Sequence, residues 1–375
     1  MHIFLEIITF IIVIVVLILV HEIGHFIVAK LSGMRVDEFG IGYPPRALTI
    51  GKIGETEYTL NWLPFGGFVR IYGEDGLEET EATPRAFSSK PRILQALTLI
   101  AGIVMNVLFA YILIMICLTI GTQQVISNPA QLATAKDVQV AFVAVLPNGP
   151  GGEAGIMPGD IIEGATSTMK TVAINYDGQN PLAYSTLIAE DNDANPITFL
   201  VDRNGKMISI TATPKVGSIP SEPTRPGFGV GIANVGVIKT PIAQVPFQAA
   251  EVVWNEVTAT ASGLYDFLKS IVIFKADFSQ VSGPIGIAGI VGQASADGLA
   301  ALLSLTALIS INLALINLIP IPALDGGRLL FVIIEAIIRR PINPKIAERV
   351  NMVGFALLLL LMVVVSAHDI WNLVK

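Results

Sequence analysis

His21-Glu22-Ile23-Gly24-His25 places two histidines four positions apart with a glutamate beside the first. On a helix, positions i and i+4 share a face with Cβ atoms roughly 6 Å apart. Two imidazoles so placed can bind one metal ion, and Glu22 can take a proton from a water that the metal activates. The chemistry would be zinc-assisted hydrolysis with Glu22 as general base. A catalytic zinc site usually takes three protein ligands and leaves the fourth position open, so the pentapeptide lacks one. The chain has four histidines and one cysteine, Cys117. His2 and His368 fall near the far ends of apolar segments, and a single thiol can build neither a thiolate cage nor an intramolecular disulfide. A carboxylate is the expected third ligand.

The element that carries the motif is unusual for a hydrolase. The histidines end an apolar run that begins near the N-terminus, without the charged start and small-residue cleavage site of a signal peptide. A retained membrane helix is expected, with a water-using motif inside it. Composition agrees: of 375 residues, 53% are hydrophobic and 14% charged, and mean hydropathy is +0.67. A net charge of −7 and the absence of a dense basic block exclude nucleic acid as a partner.

Four segments are long and apolar enough to cross a bilayer, which takes about 20 residues. They run from Phe4 to Ala29, Ile93 to Ile120, Leu299 to Ile319 and Val350 to Trp371. Lys and Arg placement orients them. Lys30, Arg35, Arg46, Lys52, Arg70, Arg85, Lys90 and Arg92 lie between the first two spans. Arg328, Arg339, Arg340, Lys345 and Arg349 crowd the short loop after the third. Both loops are expected on the cytoplasmic side, with the sparsely basic region between spans two and three, and both termini, outside.

Between Val36 and Tyr72 the pattern turns from helix to strand. Glu57 to Leu63 alternates, and Pro64-Phe65-Gly66-Gly67 reads as a turn into a second strand, giving a β-hairpin beside the membrane. Residues 123–239 have ordinary soluble composition, with strands at Val138–Val145 and Ile208–Thr213 and a Pro/Gly-rich closing stretch from Pro214 to Gly231. Residues 242–274 read as an amphipathic helix on the outer membrane surface. The Gly/Pro-broken stretch from Val281 to Ile287 is expected to pack against the helices.

Topology narrows the search for the carboxylate. Spans one and three both run from outside to inside. At the inner end of the third stands Asn317-Leu318-Ile319-Pro320-Ile321-Pro322-Ala323-Leu324-Asp325-Gly326-Gly327. The prolines break the helix, leaving Asp325 at about the depth of the histidines on backbone tolerated there only in a protein interior or a wet cavity. Two assignments are open for Asp325: the third ligand, or the N-cap of the helix that follows. Asn106, in mid-membrane after Gly102, serves either helix packing or the site. Asn317 can bond a neighbouring helix or a substrate backbone, and Glu6 is expected to be solvated.

Taken together, these residues resemble the site-2 protease family of intramembrane zinc metalloproteases, in the bacterial branch of the regulator of sigma-E protease. The resemblance rests on His21 to His25, on Gly102 to Asn106 (a GxxxN motif), on Asn317 to Gly327 (NxxPxPxLDGG) and on Leu63 to Val69 in the hairpin. Gly155-Ile156-Met157-Pro158-Gly159-Asp160-Ile161-Ile162 also resembles a PDZ segment. It implies a multi-pass α-helical membrane protein of about four transmembrane helices, with one inserted extracytoplasmic PDZ-like α/β domain and a small membrane-associated β-hairpin. It implies Zn2+ held by His21, His25 and Asp325, with Glu22 activating water. Asn317, Pro320, Pro322, Asn106, Gly66 and Gly67 are the implied substrate-binding positions. The partners would be the lipid bilayer and single-span membrane proteins, cut in regulated intramembrane proteolysis of, for example, an anti-sigma factor or remnant signal peptides. The location would be the bacterial inner membrane. The departure is one PDZ-like region where the sigma-E regulator has two.

The expected organisation is 1–121 for spans one and two with the hairpin, 122–240 for the PDZ-like domain, 241–298 for the amphipathic helix and linker, and 299–375 for spans three and four. Two other classes fit these residues less well. A non-catalytic scaffold presenting its PDZ domain has no use for charged residues in lipid, which are costly and usually functional. A metal transporter would need further intramembrane carboxylates along a pathway.

Overall fold

A computed structural model of the protein describes residues 2–74, 83–146, 148–167, 195–203, 205–218, 226–273 and 283–374. The chain forms two compact units, residues 1–116 with 246–375, and residues 117–245.

The first unit is helical. Helix α1 (His2–Leu31) is followed by strands β1 (Val36–Ile53) and β2 (Thr56–Ile71), then by α2 (Arg92–Ile120). Four helices are long and apolar enough to cross a membrane: Phe4–Leu31, Arg92–Ile120, Leu299–Leu318 and Lys345–Ala367. The segments expected from hydropathy are these helices with slightly different ends.

The β1–β2 pair is more than a hairpin. The turn falls at Gly54-Glu55, so the glycine- and proline-rich segment 40–45 lies inside β1 rather than in a loop. Ile41 pairs with Leu60 along one edge and with Gly67 along the other. Pro64 to Gly66, expected as a simple turn, therefore carries β2 around the end of the first half of β1. Gly66 makes the passage possible: its φ is 130°, and a Cβ there would lie 2.2 Å from the Tyr43 ring. Inside the pair, Glu38 is buried and accepts hydrogen bonds from Thr59 at 2.7 Å, from Arg46 at 2.9 Å and from Arg70.

The second unit holds β3 (Thr122–Val125), α3 (Pro129–Thr134), β4 (Lys136–Val145), α4 (Pro150–Glu153), β5 (Ile161–Ser167), β6 (Ile197–Arg203) and β7 (Lys206–Ala212). A small pair, β8 (Lys215–Val216) and β9 (Pro226–Gly227), precedes β10 (Val230–Ile238). A six-stranded sheet has the order β3-β10-β4-β5-β6-β7. Its core is the edge-to-face set Phe142, Phe199 and Phe228. The expected closing stretch 214–231 lies partly outside the described residues, as do Phe274, Val281 and Ser282.

The Gly155–Asp160 turn is clamped to β6. Asp160, 1% exposed at its side chain, takes Arg203 Nε on Oδ1 at 2.7 Å, and Arg203 also reaches the Gly155 carbonyl at 2.7 Å. The Met157 N–H donates to the same carboxylate. Removing one partner of a buried pair leaves an uncompensated charge. Arg203→Met should therefore lower the stability of this unit by about 3 kcal/mol, the low end of that effect because Arg203 is 24% exposed. Faster amide hydrogen exchange across β5 and β6 in the intact protein is the expected readout. Unchanged exchange would mean that the clamp contributes nothing.

The rest of the helical unit comprises α5 (Val245–Val272), α6 (Pro284–Ala296), α7 (Leu299–Leu318), α8 (Asp325–Ile338) and α9 (Pro344–Val374). The amphipathic pattern of 242–274 forms α5. From Pro246 the chain belongs to the helical unit. The Gly/Pro-broken stretch opens a 13-residue helix, α6, because proline is tolerated in a first turn. The Asp369 carboxylate caps it, accepting from Gly286 N at 2.9 Å and Gly283 N at 3.3 Å. Glu6, expected to be solvated, is partly exposed and lays its stem on α6: a Cβ at Gly292 would come within 2.8 Å of its Cγ.

Candidate active site

The site lies where α1, α2, the end of β2 and the start of α8 meet. The first contact is α1 on α2. A Cβ at Gly24 would sit 2.4 Å from the Ala101 carbonyl oxygen, so only glycine lets the two backbones come this close. At that spacing the Thr98 carbonyl, one turn away on α2, accepts from His25 Nδ1 at 2.7 Å. Gly102 faces both imidazoles. A Cβ there would lie 2.5 Å from His25 Nε2 and 2.8 Å from His21 Nε2. The missing side chain leaves open the space between the two nitrogens.

The second contact delivers the carboxylate. After α7 the chain breaks at Pro320 and Pro322, and Ala323 adopts a left-handed φ of 75°. Gly326 and Gly327 then lie against the carbonyls of this broken segment. A Cβ on Gly326 would be 2.3 Å from Ile319 O, and one on Gly327 2.2 Å from Ile321 O. The chain doubles back tightly enough that α8 begins beside α1. Leu324 is the N-cap of α8, and Asp325 is in its first turn. The capping assignment for Asp325 therefore gives way: its side chain points to the histidines.

Asp325 Oδ2 lies 2.8 Å from His21 Nε2 and 3.3 Å from His25 Nε2, and the two Nε2 atoms are 3.1 Å apart. The donor atoms of these three residues all lie within 4.8 Å of one another, close enough to share an ion. Two imidazole nitrogens and a carboxylate oxygen are a donor set that suits zinc with one position left for water. The space kept by Gly102 lies against the two imidazole nitrogens of that set.

Glu22 sits next to the cluster. It lines a cavity of about 660 Å³ together with His25, Gly67, Val69, Asp325 and Phe355. The Val69 backbone hydrogen-bonds its carboxylate, and its Cγ lies 3.5 Å from where a Gly67 Cβ would be. The 67–71 segment of β2 thus runs along the site with one edge toward Glu22 and the other paired to β1.

Of the other expected positions, Gly67 is in the cavity wall. Gly66 is buried beneath Tyr43, where it shapes the chain. Asn317, Pro320 and Pro322 do not line the cavity; Pro322 packs on Gly354 of α9. Asn106 is fully buried and faces His21 Nδ1 at 3.3 Å. Sequence reasoning singled out Gly102 and Asn106 without finding the histidines they face. The i, i+4 spacing of Gly102 and Asn106 was the available signal, since it puts both on one helix face.

A profile of peptidase family M50 matches residues 9–361. A provisionally named zinc metalloprotease of Clostridium perfringens is 36% identical over 94% of this chain and 95% of its own length. The zinc metalloprotease RasP of Geobacillus kaustophilus is 27% identical over 97% of both chains. The regulator of sigma-W protease RasP of Bacillus subtilis is 28% identical over 98% of both.

Proposed function

We propose, since this chain belongs to peptidase family M50, that it cuts transmembrane segments of other proteins with Glu22 as base and zinc held by His21, His25 and Asp325. Membership makes it a zinc metalloprotease, with Zn2+ as its metal, and its four apolar helices make it an integral membrane protein. Regulated intramembrane proteolysis is its activity at the level of the family. The observation that carries the residue assignment is the meeting of three donor side chains within 4.8 Å, beside Glu22 and at a cavity.

Bound there, zinc supplies a Lewis acid that makes water acidic enough to attack at neutral pH and polarises the scissile carbonyl. The Glu22 carboxylate receives the proton of the attacking water and passes it to the departing amide nitrogen. Thr98 holds the His25 ring by its Nδ1. The edge of 67–71 that faces the cavity receives the substrate as an added strand, which requires that the substrate helix unwind and expose its carbonyls. Asn317, partly exposed at the end of α7, contacts the substrate on its approach in this scheme.

The charge bias of the loops supports a site toward the cytoplasm, with residues 122–240 outside as a PDZ-like filter. A relative named for sigma-W regulation supports a signalling substrate with a single span, such as an anti-sigma factor, with remnant signal peptides as a second class.

The test is cleavage of a tagged single-span protein by the purified chain in lipid vesicles, with zinc content measured in parallel. Near-stoichiometric zinc, loss of cleavage on chelation and recovery on adding zinc are expected. Cleavage that survives complete metal removal would rule the proposal out.

A further inference from the structure

The two histidines meet α2 through their Nδ1 atoms, but against different groups. His25 Nδ1 faces the Thr98 carbonyl, which only accepts. That nitrogen therefore carries the proton, and His25 Nε2 keeps its lone pair. His21 Nδ1 lies 3.3 Å from Asn106 Nδ2, the donor end of an amide whose other end accepts. Asn106 has no solvent exposure, and its Oδ1 has no hydrogen-bond partner. Its backbone is held in turn from α7, where Ser310 Oγ donates to the Asn106 carbonyl at 2.8 Å.

The amide can address His21 in two ways. With its NH2 toward the ring it donates to a bare Nδ1, and the His21 proton then sits on Nε2, facing Asp325 Oδ2 at 2.8 Å. In that arrangement Nε2 has no lone pair to offer a metal. With its oxygen toward the ring it accepts from Nδ1–H, and Nε2 presents a lone pair into the space above Gly102. Only the second arrangement lets His21 ligate a metal.

We propose that Asn106 is a positioning residue for the metal centre. Its side-chain amide turns its oxygen to His21 Nδ1–H and so fixes the tautomer that offers Nε2 to the ion. The proposal rests on His21, His25 and Asp325 being the ligands. It accounts for an amide at this position. An aliphatic side chain could serve neither tautomer, and a carboxylate could serve only the metal-binding one. It also gives the two α2 positions complementary tasks: Gly102 leaves room on the Nε2 side, and Asn106 satisfies the Nδ1 side. The outer partner of a ligating histidine orients the ring and raises its basicity, and losing it typically weakens metal binding 10–100-fold.

The test compares Asn106→Leu and Asn106→Asp in the purified full chain. Zinc affinity is read by competition with a chelator, and ligand geometry by the visible spectrum of the cobalt-substituted protein. Asn106→Leu should bind zinc about 10–100-fold more weakly and alter the cobalt spectrum. Asn106→Asp keeps an acceptor facing Nδ1 and should bind zinc at least as tightly as wild type, with the cobalt spectrum restored. A role in packing alone predicts the reverse order, since leucine is the better tolerated residue in an apolar interior. Wild-type affinity in Asn106→Leu overturns the proposal, and so does an equal loss in both variants. Should Asn106→Leu fail to fold, zinc affinity in Asn106→Asp decides alone. Wild-type protein that binds no zinc would sink the ligand assignment itself, a result distinguishable from either.

Discussion

Glu22→Gln is expected to retain zinc and to slow cleavage of a single-span membrane substrate by about 1,000-fold, the middle of the range for a lost general base. The amide has the size of the carboxylate and can keep the hydrogen bond from the Val69 backbone by its oxygen. It cannot take a proton from water. Glu22 is not among the three clustered donors, so metal content should stay at the wild-type level while turnover collapses. Zinc measured by atomic emission, together with an initial rate in vesicles, separates the two effects. Turnover near wild type would remove Glu22 from the chemistry and leave the cavity without a base at the motif.

Asp325→Asn should do the opposite and lose the metal first. Asp325 Oδ2 faces both Nε2 atoms, at 2.8 and 3.3 Å, and an asparagine oxygen in its place is neutral. Even an outer partner is typically worth 10–100-fold in metal affinity; losing a charged ligand should exceed about 100-fold on that scale, with activity lost at ordinary zinc levels. The fold should survive, because Leu324 is the N-cap of α8 and Gly326 and Gly327 make the backbone contacts that set its start. Equilibrium dialysis against zinc reads the affinity, and a melting curve of the metal-free variant reads the fold. Unchanged zinc binding would return Asp325 to the lesser task of an acidic residue in a helix's first turn.

Much of the architecture was legible in local pattern. Each of the four spans is one apolar run, and hydropathy finds such runs because the bilayer sets their length. The soluble strands were partly visible, since alternation is local as well. The path of β2 was not. Leu60 and Gly67 flank the same residue of β1 on opposite edges, and nothing in the alternation of 56–71 says that the strand changes sides. The contact of Glu6 with Gly292 was equally hidden, because it depends on how α6 lies against α1. So was the outer partner of His21: Asn106 and His21 are 85 positions apart and meet only when Gly24 lets α1 settle on α2.

The opening pentapeptide shows where the line falls. One turn of helix sets the relation between His21 and His25, so residue order alone determined that they share a face and that Glu22 adjoins them. The broken segment through Asp325 was equally visible, because proline disrupts a helix wherever it stands inside one. Asp325 is 304 positions from His21, and charge bias could say only that the two lie at similar depth. Tertiary structure decided that they touch. Their separation is set by glycines at Gly24, Gly102, Gly326 and Gly327, where a single Cβ would come within about 2.5 Å of a backbone oxygen or a ligand nitrogen. Sequence marks a glycine without saying what it makes room for; only the packed helices put a carbonyl or an imidazole in that space.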